Sequence, residues 1–195
     1  MARKTEQRKA LKPSRICIIG EGKTEFYYFS HLRSLYQFNY EIKPHFFRQT
    51  SIKEINKRII EVIEGDAIAV CVFDADVSER NEKEKKILKN LCRRYESKEN
   101  VIICDSLPSI EFWFLLHYSK TNKYFMNSKS VEKELRKFIN QYEKKEDFLK
   151  KRKWVDDMCN EGKLESAKKN AESFSNEDGS YSNIYRIFKI ITSKK

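Results

Sequence analysis

The chain has 195 residues, with 40 Lys and Arg against 29 Asp and Glu, and a formal net charge of +11. This length suffices for an α/β domain with a buried core, and no apolar run approaches the length of a membrane span. The positive excess favours nucleic acid first and a membrane surface second as partner, although a lysine-rich composition alone produces the same excess. The five cysteines have no CxxC spacing, which predicts reduced thiols in a cytoplasmic protein.

Apolar runs alternate with amphipathic segments in the first half of the chain, which predicts a parallel sheet with helices between its strands. Residues 1–14 are expected to form a basic, disordered arm, and residues 15–195 a single domain. Strands are predicted at 15–19, 40–47, 67–73 and 101–104. The intervening helices are predicted over 24–36 with Thr24 as the cap, from Ser51 to a stop at Gly65, and over 79–95.

The second half of the chain predicts helical additions to this α/β fold. An apolar helix opens at Pro108 and Ser109, and it contains one acidic residue, Glu111. Beyond it the sequence predicts polar helices at 130–143, 147–158, 164–174 and 182–191.

Acidic residues directly follow two of the predicted strands. Glu21 lies between two glycines after the first strand, and Asp74 and Asp76 follow the third. The carboxyl ends of neighbouring parallel strands share one edge of a sheet, where ligands bind, so the three carboxylates are expected to converge there. They repel one another unless a proton or a cation intervenes, and Mg²⁺ or Mn²⁺ suits such hard oxygen ligands. The sequence therefore predicts a metal site with Asp74 and Asp76 as ligands, in which Glu21 is either a further ligand or a general acid or base. The alternative is aspartates that only open turns.

Other residues near these motifs each have two interpretations. Glu25 is either a further metal ligand or an anion that favours the first turn of a helix. Glu111 is either a metal ligand or the partner of an arginine or of a helix-start N–H. His117 is either catalytic or packed in the core. The aromatic residues at 27–29 either stack on exposed bases or pack in the core.

Gly22, Lys23 and Thr24 match the end of a phosphate-binding P-loop. The first glycine of that motif would stand at the position of Cys17, inside the predicted strand, so a P-loop ATPase is not predicted. Lys23 is instead expected to contact a single phosphate as a point charge.

These motifs together resemble those of the RloB family. The resemblance is carried by residues 19–29 (IGEGKTEFYYF), 72–76 (VFDAD) and 106–118 (SLPSIEFWFLLHY), and more weakly by 181–185. Leu107 stands where the third motif usually has asparagine. The similarity extends over about residues 15–190.

The resemblance implies a Toprim-like fold in which Glu21, Asp74 and Asp76 form the acidic site. It further implies Mg²⁺-dependent nuclease activity on DNA or RNA, a setting in bacterial anti-phage defence of the abortive-infection type, and an ABC/SMC-type ATPase encoded nearby. The alternative function is a non-catalytic, nucleic-acid-binding subunit of an ATPase-containing defence complex. No membrane partner is expected, and a homo-oligomer is left open.

Overall fold

The computed structural model of the chain describes residues 15–43, 51–76, 82–174 and 179–191, so the predicted arm at 1–14 lies outside the described residues. The first half contains, in order, β1 (Arg15–Gly20), α1 (Lys23–Tyr36), β2 (Glu41–Lys43), α2 (Ile52–Glu64), β3 (Ala67–Asp74), α3 (Glu82–Tyr95) and β4 (Val101–Leu107). The second half contains α4 (Ile110–Leu115), α5 (Ser128–Leu135), α6 (Glu146–Leu149), α7 (Lys153–Cys159), α8 (Lys163–Glu172), β5 (Tyr181–Ser182) and a 3₁₀ helix (Ile184–Lys189).

Within the described residues, the strands form one sheet in the order β2-β1-β3-β4-β5. The first four strands are parallel, and β5 pairs antiparallel with β4. The predicted α/β class is therefore confirmed. The chain continues from β1 to β2 on one side of this strand pair and from β3 to β4 on the other, so the strand order reverses between β1 and β3. Such a switch point is where open parallel sheets form ligand-binding crevices.

Both faces of the sheet are covered, which explains why β1 and β3 are apolar at successive positions. Ile18 and Val70 face a cluster that includes α1, α4 and the C-terminal helices. Cys17 and Cys71 face the opposite way, toward the buried isoleucines and leucines of α2 and α3. The alternation of side chains along each strand thus divides the core into two layers that hold the sheet between them.

Some boundaries in the first half differ from the prediction. The N-cap of α1 is Gly22 rather than Thr24, since Glu25 Oε2 accepts the Gly22 N–H at 2.8 Å and the helix begins earlier. Strand β4 continues beyond Cys104 to Leu107 because β5 pairs with its end. The predicted parts of the second strand and third helix at 44–47 and 79–81 lie outside the described residues.

The helix predicted over 147–158 is divided into α6 and α7. Between them, the Leu149 carbonyl accepts the Trp154 indole N–H at 3.3 Å and lies 2.8 Å from His31 Nε2. The Leu149 carbonyl thus has side-chain partners from α7 and α1 at the point where the helix is interrupted. The helix predicted over 164–174 is confirmed as α8, slightly shortened at its end.

Two further C-terminal helices are also shorter than predicted. The helix expected over 130–143 ends at Leu135, and beyond it Arg136 Nε donates to the Tyr142 carbonyl at 2.9 Å, which closes a turn. The segment expected as a helix over 182–191 begins as β5 and continues as the 3₁₀ helix, because its first residues complete the sheet. These turns bring the C-terminal half back toward α4 and β4.

Trp113 of α4 occupies the centre of the larger core layer. Its side chain is fully buried, and its indole N–H donates to the hydroxyl of the equally buried Tyr28 at 2.7 Å. The ring also stacks on Phe188 of the 3₁₀ helix, with ring centroids 5.8 Å apart. One side chain therefore connects α1, α4 and the C-terminal segment.

The substitution Trp113→Phe is expected to lower the free energy of unfolding by about 2 to 4 kcal/mol, because it opens a cavity and leaves the Tyr28 hydroxyl without its buried donor. Tyr28→Phe should lower the free energy of unfolding by a smaller amount. The double variant should lose less free energy of unfolding than the sum of the two single losses, since both substitutions remove the same hydrogen bond. Urea unfolding of the four proteins measures this, and strict additivity would contradict the contact.

Candidate carboxylate site

The carboxylates that follow β1 and β3 meet at the switch point of the sheet. The two strands pair in parallel, with Gly20 opposite Val72. Glu21 Oε2 accepts the backbone N–H of Asp74 at 3.1 Å. The contact holds the Glu21 side chain against the backbone at the end of β3, whereas the convergence of the three carboxylates on one ion stays a prediction.

Asp74 also connects the sheet to the third sequence motif. Its Oδ1 accepts the N–H of Ile110, the first residue of α4, at 2.9 Å. The N-cap residue Ser109 makes no side-chain bond to the helix, so Asp74 satisfies an N–H that has no partner inside the helix. One carboxylate thus aligns β3 and α4 at the edge where the loops diverge.

Glu25 and Glu111 add two buried carboxylates from the helices. Glu25 lies in the first turn of α1, as one of its two interpretations expected, and a methyl group on Gly22 would approach Glu25 Oε2 to 3.2 Å. Glu111 is completely buried and accepts hydrogen bonds from the hydroxyls of Ser109 (2.6 Å) and Tyr142 (2.8 Å). Neither an arginine nor a helix-start N–H is among these partners of Glu111.

The cation beside Glu111 is Lys144, a residue for which no role is predicted from the sequence. Its ammonium lies 2.9 Å from Glu111 Oε2 and 3.5 Å from Glu132 Oε1. Lys144 follows α5 in the charged stretch 143–147, where no sequence signal distinguishes the lysine that turns inward from its neighbours. The available clue is indirect: a buried glutamate in an apolar helix requires a cation from elsewhere in the chain.

The crowding of these groups alters their acidity. Burial first, and then repulsion from Glu25 and Glu111, raises the pKa of Asp74 well above its usual range. Burial and the neighbouring Glu111 and Glu21 raise the pKa of Glu25 to about 7. Partial burial lowers the pKa of Lys144, but the carboxylates of Glu111 and Asp74 outweigh it and raise that pKa above the ordinary value. Burial and mutual repulsion therefore both disfavour the charged form of Asp74 and Glu25.

The remaining predicted residues lie around this centre. Asp76 follows β3 and is half-buried, and its part in the site stays a prediction. Lys23, at the start of α1, pairs with Glu146 of α6 at 2.5 Å, and both side chains are substantially exposed. Tyr28 and Phe29 belong to the core, as one interpretation expected, whereas the Tyr27 hydroxyl donates to Glu146 at 3.2 Å.

The loop between β1 and α1 is only two residues long, which leaves no room for a P-loop.

The chemistry of these groups suits a divalent metal ion, but their arrangement does not yet form a ligand set. Carboxylate oxygens are the ligands that Mg²⁺ and Mn²⁺ prefer, and the raised pKa values of Asp74 and Glu25 reflect burial first and then repulsion from neighbouring carboxylates, which a bound cation would relieve. Across the described ranges, however, no three Asp, Glu, His or Cys side chains are placed to hold one ion. Metal binding by Glu21, Glu25, Asp74, Asp76 and Glu111 stays a prediction.

His117 is buried at the end of the third motif. Its Nδ1 lies 3.0 Å from the Trp113 carbonyl, and its ring packs edge-on against the indole of Trp113. Burial lowers the pKa of His117 to about 4, so the imidazole is neutral at physiological pH. These contacts agree with the interpretation of a packed histidine.

The observations define a class of protein: an α/β chain with a parallel sheet whose switch point carries a cluster of buried carboxylates. The model of the family described as RloB-like protein matches residues 16–191. The chain therefore belongs to the RloB-like family. No curated protein and no solved structure matches it. Of the helices in the described ranges, none is both long and apolar enough to cross a membrane.

The buried neutral His117 predicts a loss of stability in mild acid. Its pKa is about 4 in the folded chain and 6.5 ordinarily, so between these values the unfolded chain binds more protons. The contribution of His117 to the free energy of unfolding is therefore lost as the pH falls from about 6.5 to 4. His117→Gln keeps a donor but does not titrate. Between pH 7.5 and pH 5, the free energy of unfolding of the wild type, measured with urea, should fall by about 2 kcal/mol more than that of this variant. Equal losses would contradict a buried, neutral imidazole.

Proposed function

We propose that the chain is a Mg²⁺- or Mn²⁺-dependent, Toprim-like nuclease that cleaves nucleic acid in bacterial anti-phage defence, together with an ABC/SMC-type ATPase partner. The observation that carries the proposal is the contact between the ends of β1 and β3, where Glu21 Oε2 accepts the Asp74 N–H at 3.1 Å. It joins the acidic residues of the first two family motifs, and Asp74 in turn contacts the start of α4 in the third.

The roles of the residues follow from their surroundings. Asp74 and Asp76 are proposed as metal ligands because a bound cation relieves the repulsion between carboxylates that lie close together at one edge of the sheet. Glu21 is proposed as general acid or base because it lies in a short loop between glycines, where a phosphodiester can approach. Lys23 begins α1 next to this loop and is proposed to contact phosphate. A bound Mg²⁺ would polarise the scissile phosphate and stabilise the leaving oxygen.

The second candidate function is a non-catalytic, nucleic-acid-binding subunit, and one observation favours it. In the part of the chain that the structure describes, no three suitable side chains stand ready to hold a metal ion. A subunit that binds nucleic acid and docks on the ATPase without cleaving would need no such arrangement. The two functions differ in whether the carboxylates are required for more than folding, and substitutions can test that difference.

Asp74→Asn removes one charge from the site while it retains the side-chain size and an oxygen for Ile110. If the site is catalytic, Mg²⁺-dependent cleavage of plasmid DNA or tRNA should fall by about 100-fold or more, and Glu21→Gln should act similarly because proton transfer is lost. Nucleic-acid binding should persist or tighten, since a charge that repels phosphate is gone. Cleavage is measured with and without the neighbouring ATPase, and phage resistance is measured in cells.

Glu61→Gln is the matched control, because Glu61 is an exposed carboxylate on α2, a helix that covers the opposite face of the sheet. It should retain full activity. Thermal melts of each variant separate a loss of chemistry from a loss of folding. Full phage resistance in the folded Asp74→Asn, Asp76→Asn and Glu21→Gln variants would refute the nuclease proposal and support the non-catalytic subunit.

The basic excess of the chain leads to a separate prediction for nucleic-acid binding. If lysines and arginines contact phosphates, affinity should fall steeply with salt, by about 100-fold for an approximately fourfold rise in concentration when about four phosphates are contacted. Removal of residues 1–13, which contain a run of basic residues, should flatten this slope. Fluorescence anisotropy over a salt series measures both effects. An affinity that does not respond to salt would show that the charge is compositional.

A further inference from the structure

Lys144 supplies the positive charge closest to the buried end of the carboxylate cluster. Its side chain is 36% exposed, whereas that of Glu111, which its ammonium contacts at 2.9 Å, is 0% exposed. The stem of the lysine therefore comes from the surface and its charged end reaches a group that has no contact with water. Glu132, the second carboxylate near the ammonium, is 14% exposed.

The turn after α5 positions this lysine. Arg136 donates to the Tyr142 carbonyl at 2.9 Å and holds the turn, and the Tyr142 hydroxyl reaches Glu111 at 2.8 Å. Lys144 follows two residues later and contacts the same carboxylate. The adjacent Lys145 instead pairs with Glu143 at 2.9 Å and is 77% exposed. The chain thus offers two neighbouring lysines, of which one reaches the cluster and one remains in solvent.

A cation at this position is an electrostatic requirement of the fold. Glu111 is a buried carboxylate whose described partners, apart from Lys144, are two neutral hydroxyls. Removing one member of a buried ion pair is strongly destabilising because the remaining charge is left without compensation. The field of Lys144 also extends to Asp74, which is among the groups that act on its acidity.

We propose that Lys144 is a positioning residue of the carboxylate cluster: its ammonium is the resident cation that neutralises Glu111 and keeps it in place beside Asp74. The same position makes Lys144 a competitor of a divalent ion for these carboxylates, so that it sets how strongly the cluster attracts such an ion. The competition rests on the proposed function, whereas the pairing with Glu111 does not.

The experiment compares thermal melting of Lys144→Met, Lys144→Arg and the control Lys145→Met, each in EDTA and in excess MgCl₂. In EDTA, Lys144→Met should lower Tm by about 5 to 10 °C, since the loss of a buried pair is reduced here by partial exposure. Lys145→Met should shift it by no more than about 1 °C. Lys144→Arg, which keeps the charge, should recover at least half of the loss.

A double variant tests whether Lys144 acts through Glu111. Adding Glu111→Gln to Lys144→Met removes the uncompensated charge and keeps acceptors for Ser109 and Tyr142, so it should restore most of the lost Tm. If Lys144→Met does not fold, recovery of a folded double variant is the expected result. Failure of Glu111→Gln to rescue Lys144→Met, or a Lys144→Met variant that melts like Lys145→Met, would overturn the proposal.

The Mg²⁺-induced rise in Tm is a readout that Lys144 would not affect if its role were only structural. The Mg²⁺-induced rise in Tm should be larger in Lys144→Met than in wild type, because the competing ammonium is absent. An equal rise in both proteins would overturn the competition. If no protein responds to Mg²⁺ but Glu111→Gln still rescues Lys144→Met, Lys144 is the cation of Glu111 and it is the proposed metal site that fails.

Discussion

Because β1 and β3 lie side by side in parallel while the chain continues from them toward opposite edges of the sheet, the carboxyl ends of these two strands form the switch point of the fold. Glu21 follows β1 and Asp74 is the last residue of β3, and their contact joins the ends of these neighbouring strands. The helices add carboxylates at the same edge, since α1 starts after β1 and α4 starts beside the end of β3.

The concentration of carboxylates at this edge opposes folding, and the protein compensates it locally. In the described residues, the donors to these carboxylates include the backbone N–H groups of Gly22, Asp74 and Ile110, the hydroxyls of Ser109 and Tyr142, and the ammonium of Lys144. The same excess of negative charge that requires compensation is the property that would attract a cation. A site of this kind couples stability to ligand binding, since whatever neutralises the cluster also stabilises the fold.

The sequence could predict the first four strands and the placement of Glu21 and Asp74 at the ends of two of them, because long apolar runs that end in acidic residues are typical of strands in a parallel sheet. It could not predict Lys144, which lies in a stretch of mixed charge where only the tertiary fold selects the inward-facing residue. The break between α6 and α7 depends on Leu149, whose carbonyl lies next to the His31 ring, a residue 118 positions away. Strand β5 is two residues long and carries no periodicity.

The C-terminal segment closes the edge of the sheet that β4 would otherwise expose. Ser106 and Ser182 join their hydroxyls at 2.7 Å, Asn183 donates its backbone N–H to the Asp105 carbonyl, and Arg186 reaches the carbonyl of Ile103. During synthesis these partners emerge from the ribosome some eighty residues after β4, so the nascent sheet has an open edge for that interval. Open edges pair readily with other chains. Premature termination before Tyr181 would make that exposure permanent and favour aggregation over a merely inactive product.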